Sequence, residues 1–257
     1  MKIGFFDSGL GGLTILKAVA KELSEYDYVF YGDTANLPYG DKSEEEINRL
    51  TRAGVEYLFD KDCHLIIIAC NTASAETLRK LQTELLVGKH KEKRILGVII
   101  PTVEAIVESN QQNVSLIATK RTVESKKYDA ELVKRVGERT KLISTAVPGL
   151  VPLIELGDVH FATNLAINTL KDGNTKPDLI VLACTHYTEI KLKLRDFFGD
   201  SAIILSQDEI IPPSLKKYLV AHPEIESLLS KDKQRQIFLT EHSQKYDRII
   251  QQFLGSN

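Results

Sequence analysis

The chain has 257 residues, 43% of them apolar and 26% charged, and carries a formal net charge of −2. That balance is ordinary for a globular protein large enough to bury a core without staples, and it leaves no electrostatic footprint for DNA, RNA or an anionic membrane as partner. No apolar run approaches the length needed to span a bilayer, and three cysteines are too few for a disulfide framework.

The N-terminus passes straight into an apolar run with no signal-peptide pattern, so a reducing cytoplasm is the expected compartment. Lys2–Phe6 reads as a short strand, and Thr14–Leu23 follows with helical spacing at Ile15, Leu16, Val19 and Leu23. Tyr28–Tyr31 reads as a strand. Ser43–Phe59 reads as a helix, with Ser43 and Glu46 placed for a capping box. Leu65–Ala69 is a continuous isoleucine-rich run, as expected of a strand buried on both faces, and Ala73–Leu86 is helical. The basic residues flanking His90 (Lys89, Lys91, Lys93, Arg94) are interrupted by Glu92 and read as a solvated loop. A strand over Ile95–Ile100 is stopped by Pro101.

The pattern repeats beyond that point. Val114–Ala118 is a strand, Val123–Val136 a helix, Lys141–Ala146 a weaker strand and Val159–Leu170 a helix. Leu179–Ala183 is a buried strand, Glu189–Phe198 a helix and Ala202–Leu205 a short strand. Pro212 and Pro213 mark the start of a helix that continues through Ser214–Val220, and Gln236–Leu239 and Gln244–Phe253 close the chain as strand and helix. Strands alternating with helices point to an α/β architecture with mainly parallel sheets.

One internal echo organises the chain. Leu65-Ile-Ile-Ile-Ala-Cys70-Asn-Thr72 is matched by Leu179-Ile-Val-Leu-Ala-Cys184-Thr-His186. Each is a buried strand ending in Ala-Cys, then two polar residues, then a helix. Two similar α/β halves are expected, each presenting a cysteine at the carboxyl edge of its sheet, where open parallel sheets bind ligands. A position near a helix start favours the thiolate, so both thiols are expected to be lowered from about 8.5. Asp7 after the first strand and His186 beside Cys184 are placed to assist. Cys63 has no matching partner and reads as a core residue.

Other chemistries are excluded by spacing. Asp7-Ser8-Gly9-Leu10-Gly11-Gly12 is not G-x-G-x-x-G, and Asp33 is a poor ribose-binding acid, so no nicotinamide cofactor is expected. There is no Walker A loop and no G-x-S-x-G elbow. Cys184 and His186 alone do not make a zinc site, so no metal is expected.

Taken together, the motifs resemble those of the glutamate racemases, within the cofactor-independent aspartate/glutamate racemase superfamily. The matches run in order over most of the chain. They are Phe6 to Gly12; Tyr31-Gly32-Asp33-Thr34 with Pro38-Tyr39-Gly40; Ala69-Cys70-Asn71-Thr72-Ala73-Ser74; Val151-Pro152-Leu153-Ile154-Glu155; and Cys184-Thr185-His186-Tyr187.

The resemblance implies two-base racemisation with no cofactor, Cys70 serving D-glutamate and Cys184 L-glutamate. It implies that Asp7 assists near Cys70 and His186 near Cys184. It places Asp7, Ser8, Tyr39, Gly40, Asn71, Thr72, Thr119, Thr122, Thr185 and His186 at substrate-contacting positions. It also implies two similar doubly wound domains with the site between them, residues 1–96 plus 209–257 and residues 97–208. D-glutamate for peptidoglycan as the product's use, and a homodimer, complete the expectation. The chain departs from the family pattern at Ala118, Val147, Ala183 and Thr188 and at Thr240-Glu241-His242, without losing a catalytic group. The alternatives are racemisation of aspartate or another acidic amino acid, and an amino-acid-binding or regulatory protein with little catalysis. His186 favours glutamate, because aspartate-selective relatives usually carry an acid there.

Overall fold

The structure, a computed structural model, describes residues 1–137, 139–172 and 176–254; the last three residues of the expected 209–257 segment lie outside them. Nine strands among the described residues form two all-parallel sheets. The first has the order β4-β3-β1-β2-β9, built from Arg94–Gly97, Cys63–Ile68, Lys2–Asp7, Tyr28–Gly32 and Arg235–Leu239. The second has the order β6-β5-β7-β8, from Lys141–Ala146, Asn113–Ala118, Leu179–Ala183 and Ile203–Ser206.

Helices cover both faces of each sheet, so the central strands read as unbroken apolar runs. In the first sheet, α1 (Gly12–Glu22) and α10 (Gln207–Ala221) pack on the face carrying Ile3, Phe5, Leu65 and Ile67, while α2 (Glu44–Asp60) and α3 (Asn71–Leu85) cover Phe6, Ile66 and Ile68. In the second, α7 (Leu150–Glu155), α8 (Val159–Asp172) and α9 (Lys191–Phe198) lie over Ile180 and Leu182, with α4 (Ile99–Glu108) and α6 (Lys127–Val136) on the Leu179 and Val181 face. The chain crosses from the first sheet to the second through α4 and returns through α10. The short α5 (Lys120–Glu124) and α11 (Pro223–Glu226) and the final α12 (Gln244–Leu254) complete the helices. Among the described residues no helix is long and apolar enough to cross a membrane.

Prolines and one loop produced the main differences from expectation. The strand expected to run to Ile100 ends at Gly97, and Pro101 sits inside the first turn of α4. First-turn amides have no intrahelical acceptor, so a proline there removes no helix bond. Pro212 and Pro213 lie within α10 and do not begin it. Burial of Ile210, Ile211, Leu215 and Leu219 in the first core outweighs the local cost of the two prolines. The helix expected over Val123–Val136 is broken at Lys126, which adopts φ 53°, into α5 and α6. Cys63 is the first residue of β3, not a residue before it, and is buried as a core residue. The loop around His90 is more than a solvated turn: His90 stacks on Phe59, and Lys93 Nζ donates to the carbonyls of Phe59 and Cys63.

Candidate active site

The strand orders explain where the site forms. From β1 the first sheet grows one way to β2 and the other way to β3; from β5 the second grows one way to β6 and the other to β7. At such a reversal the flanking crossovers part and leave a crevice at the carboxyl ends of the strands. Asp7 ends β1 and Cys70 follows β3 at the first reversal; Thr119 follows β5 and Cys184 follows β7 at the second. The two edges meet around one cavity.

Ser8, Tyr39, Gly40, Cys70, Asn71, Thr72, Thr119, Cys184, Thr185 and His186 all line that cavity. Asp7 and Thr122, expected at the same surface, do not reach the wall. Asp7 is fully buried; its Oδ2 accepts from the backbone N–H groups of Gly9 (3.2 Å) and Gly12 (3.0 Å), and its Oδ1 from Thr185 Oγ1 (3.4 Å). Thr122 stands behind Thr119 and Thr72 in a hydroxyl cluster, with Thr72–Thr119 at 2.8 Å, Thr119–Thr122 at 2.9 Å and Thr72–Thr122 at 3.4 Å. That cluster joins the edges of the two sheets. The cavity measures about 20 Å³, scarcely room for one water, so an amino acid enters only when its walls part.

The cysteines are placed less symmetrically than their sequence contexts suggest. Cys70 is the N-cap of α3, and its Sγ accepts from the Ala73 N–H at 3.5 Å. Cys184 precedes a 3₁₀ turn, Thr185–Ile190, and makes no capping bond. A lowered Cys70 thiol was expected from the helix start; instead burial, reinforced by the Asp7 charge, pushes it up to about 12. Loss of hydration outweighs the bonds from Ser8 and Ala73. Burial likewise raises the Asp7 carboxyl, against the favourable His186 charge and its bonds to Gly12, Gly9 and Thr185.

His186 is driven the other way. Its Nδ1 lies 4.0 Å from Cys184 Sγ and its Nε2 2.7 Å from Glu155 Oε1. Burial alone would lower its pKa, but the bonds to Cys184 and Glu155 and the charges of Cys184 and Asp7 outweigh it and raise it to about 10. An imidazolium therefore faces the Cys184 sulfur, a counter-charge for that sulfur whenever it is a thiolate. Gly11 permits this approach: a Cβ there would stand 2.5 Å from Thr185 Oγ1 and 3.0 Å from the backbone nitrogen of His186.

Residue-by-residue reading of the sequence missed several participants. Glu155 ends α7 as the one carboxylate of an otherwise apolar run, Val151-Pro152-Leu153-Ile154-Glu155, and that contrast was its available signal. Leu37, Pro38 and Val151 add apolar wall to the cavity. Asp33, set aside as a ribose ligand, accepts from Tyr39 OH (2.6 Å), Asn36 Nδ2 (2.9 Å) and Thr240 Oγ1 (2.9 Å), which fixes the Tyr39-Gly40 loop over the site. Among the described residues no group of three or more His, Cys, Asp or Glu side chains could hold a metal.

Comparison with known proteins places this geometry. The profile of the Asp/Glu/Hydantoin racemase family matches residues 13–208. A glutamate racemase of Ruegeria pomeroyi is 38% identical over 240 residues, covering 88% of this chain and 87% of its own. The crystal structure of glutamate racemase from Campylobacter jejuni superposes with a TM-score of 0.84 at 27% identity, over 100% of this chain and 99% of that one. The glutamate racemase of Francisella tularensis, solved in complex with D-glutamate, superposes with a TM-score of 0.86 at 27% identity, over 100% of this chain and 94% of that one.

Proposed function

The chain belongs to the Asp/Glu/hydantoin racemase family, and from that premise we propose that it interconverts L- and D-glutamate by two-base proton transfer at the α-carbon. One observation carries the mechanism: Cys70 and Cys184 come from different sheets and line the same cavity. A planar carbanion needs a proton acceptor on one face and a donor on the other, and two opposed sulfurs supply both.

In the L-to-D direction Cys184 removes the α-proton as a thiolate, with the His186 imidazolium beside it, and Cys70 delivers its thiol proton to the opposite face. In the D-to-L direction the roles exchange. Cys70, held up by burial, rests as the acid, which suits it to meet L-glutamate first. General acid–base catalysis of this kind contributes about 10²–10⁴-fold; orientation and fixed donors supply the remainder. Ser8, Thr72 and Thr119 provide hydroxyl groups for the carboxylates, Thr185 lines the site with its hydroxyl donating to Asp7, the backbone at Gly40 lets Thr119 approach, and Asn71 donates from its amide. Asp7 and Thr122 act from behind the wall, Asp7 by its charge and Thr122 by orienting Thr72 and Thr119.

Residues 1–96 with 209–257, and residues 97–208, are proposed as the two bodies that part to admit substrate, with α4 and α10 as the crossings. The product is proposed to feed peptidoglycan synthesis in the cytoplasm. The protein is proposed to pair as a homodimer, for which exposed Phe161 and Leu192 on adjacent helices offer apolar surface.

Incubation with L-amino acids in D₂O tests the substrate. Deuterium should appear at the α-carbon of glutamate, followed by loss of optical activity. Exchange into aspartate and not glutamate would reject the assignment, and no exchange by folded, reduced protein would favour a binding role.

A further inference from the structure

Beside the catalytic cavity lies a buried polar cluster in which Asn71 meets side chains that the racemisation mechanism has not yet used. Asn71, next to Cys70, exchanges hydrogen bonds with Gln207 at the start of α10 and accepts one from Tyr128 in α6, and Gln207 in turn faces Thr102 in α4 (3.3 Å) and Tyr128 OH (3.4 Å). All four are at least 98% buried. Thr102 and Gln207 belong to the two helices by which the chain passes between the sheets, so the cluster sits where both crossings touch the active site.

The hydrogen bonds of this cluster have one consistent direction. Thr102 Oγ1 donates its only proton to the Val98 carbonyl at 2.7 Å, so toward Gln207 it acts as an acceptor. The Gln207 atom facing it at 3.3 Å is therefore the amide nitrogen, Nε2. With Nε2 assigned, Gln207 Oε1 must accept, and it accepts from Asn71 Nδ2 at 2.8 Å. Asn71 Oδ1 is then turned the other way, accepting from Gln207 Nε2 (2.9 Å) and Tyr128 OH (2.7 Å). An amide side chain offers two acceptor positions on oxygen and two N–H donors. Three of these four are taken in Asn71, and the one left is an N–H.

We propose that Gln207 and Thr102 are positioning residues for the racemase reaction: they set the orientation of the Asn71 amide so that it meets the substrate only as a donor, which suits a carboxylate. Without Thr102 Oγ1, both amides can turn over together. Tyr128 OH then donates to Gln207 Oε1 and accepts from Asn71 Nδ2, and Asn71 presents a carbonyl oxygen to the substrate carboxylate, which repels it. The proposal rests on glutamate as substrate and deepens that reading.

Thr102→Val keeps the shape of the side chain and removes the acceptor. In wild type, Thr102→Val and Thr102→Ser, kcat and KM are measured for both enantiomers by circular dichroism, with thermal melting to establish folding. Loss of a hydrogen bond to a charged group predicts a rise in KM of roughly tenfold for Thr102→Val in both directions, with kcat changed by less than about threefold. Thr102→Ser, which restores the hydroxyl, should return KM to within about twofold of wild type. Gln207→Leu should raise KM at least as much. A folded Thr102→Val protein with wild-type KM overturns the proposal, as does one whose kcat falls at unchanged KM. If wild type itself fails to turn over glutamate, the substrate assignment is at fault, an outcome separate from either of these.

Discussion

Replacing Glu155 with glutamine tests how the histidine at this site is kept charged. The substitution preserves size and can still accept through Oε1, but removes the charge 2.7 Å from His186 Nε2. An opposite charge this close shifts a pKa by about one to three pH units, so its removal lowers the His186 pKa by roughly one to two. Starting from about 10, the variant histidine should titrate between roughly pH 8 and 9. At pH 9 about nine-tenths of the wild-type side chain is imidazolium, and in the variant about one-tenth to one-half. The value of kcat/KM for L-glutamate, followed by circular dichroism from pH 6 to 10, should therefore fall up to about tenfold at pH 9 while changing little at pH 7. The stability effect has a definite sign. The folded pKa of His186 lies above its unfolded value of about 6.5, so its contribution is complete below that pH and is lost as pH rises through about 10. Glu155→Gln should lower the melting temperature most at neutral pH and least above pH 10. An alkaline limb that stays where wild type has it would refute the reasoning, because Glu155 would then not set the protonation of His186.

Three further substitutions probe the geometry directly. Cys70→Ser or Cys184→Ser should abolish racemisation with a melting temperature close to wild type, and in D₂O each variant should exchange the α-proton of at most one enantiomer; full activity in either would remove the two-thiol mechanism. Gly11→Ala places a Cβ 2.5 Å from Thr185 Oγ1 and 3.0 Å from the His186 backbone nitrogen, and the displaced Cys184–His186 segment should cost on the order of 10²-fold in kcat/KM. Polarimetry within about threefold of wild type would show that the segment yields without harm to the site.

Much of this fold was legible because its signals are local. The isoleucine run before Cys70 and the Leu179–Ala183 run before Cys184 are strands buried on both faces, and a strand covered on both sides can only be apolar. Ser43 caps α2 as its spacing indicates, its Oγ accepting from the Glu46 N–H at 3.2 Å. The prolines misled because their local meaning depends on where the helix begins. Pro101 falls in a first turn, and Pro212 and Pro213 are carried by a helix whose apolar face is anchored in the first core.

The two Ala-Cys strand ends marked, from sequence alone, the two cysteines that line one cavity, because a repeated strand-turn unit and a scarce residue type are written into the chain itself. Their electrostatics were not. Cys70 starts a helix, as read, but its thiol is pushed up because packing buries it away from water, a cost that no local pattern encodes. The bond between His186 and Glu155 spans 31 residues and that between Asn71 and Gln207 spans 136. The sequence by itself determined at the carboxyl ends of which strands the two cysteines stand. The tertiary structure decided their charge and the way their side chains face, because desolvation and hydrogen-bond direction depend on neighbours distant in the chain that meet only when it folds.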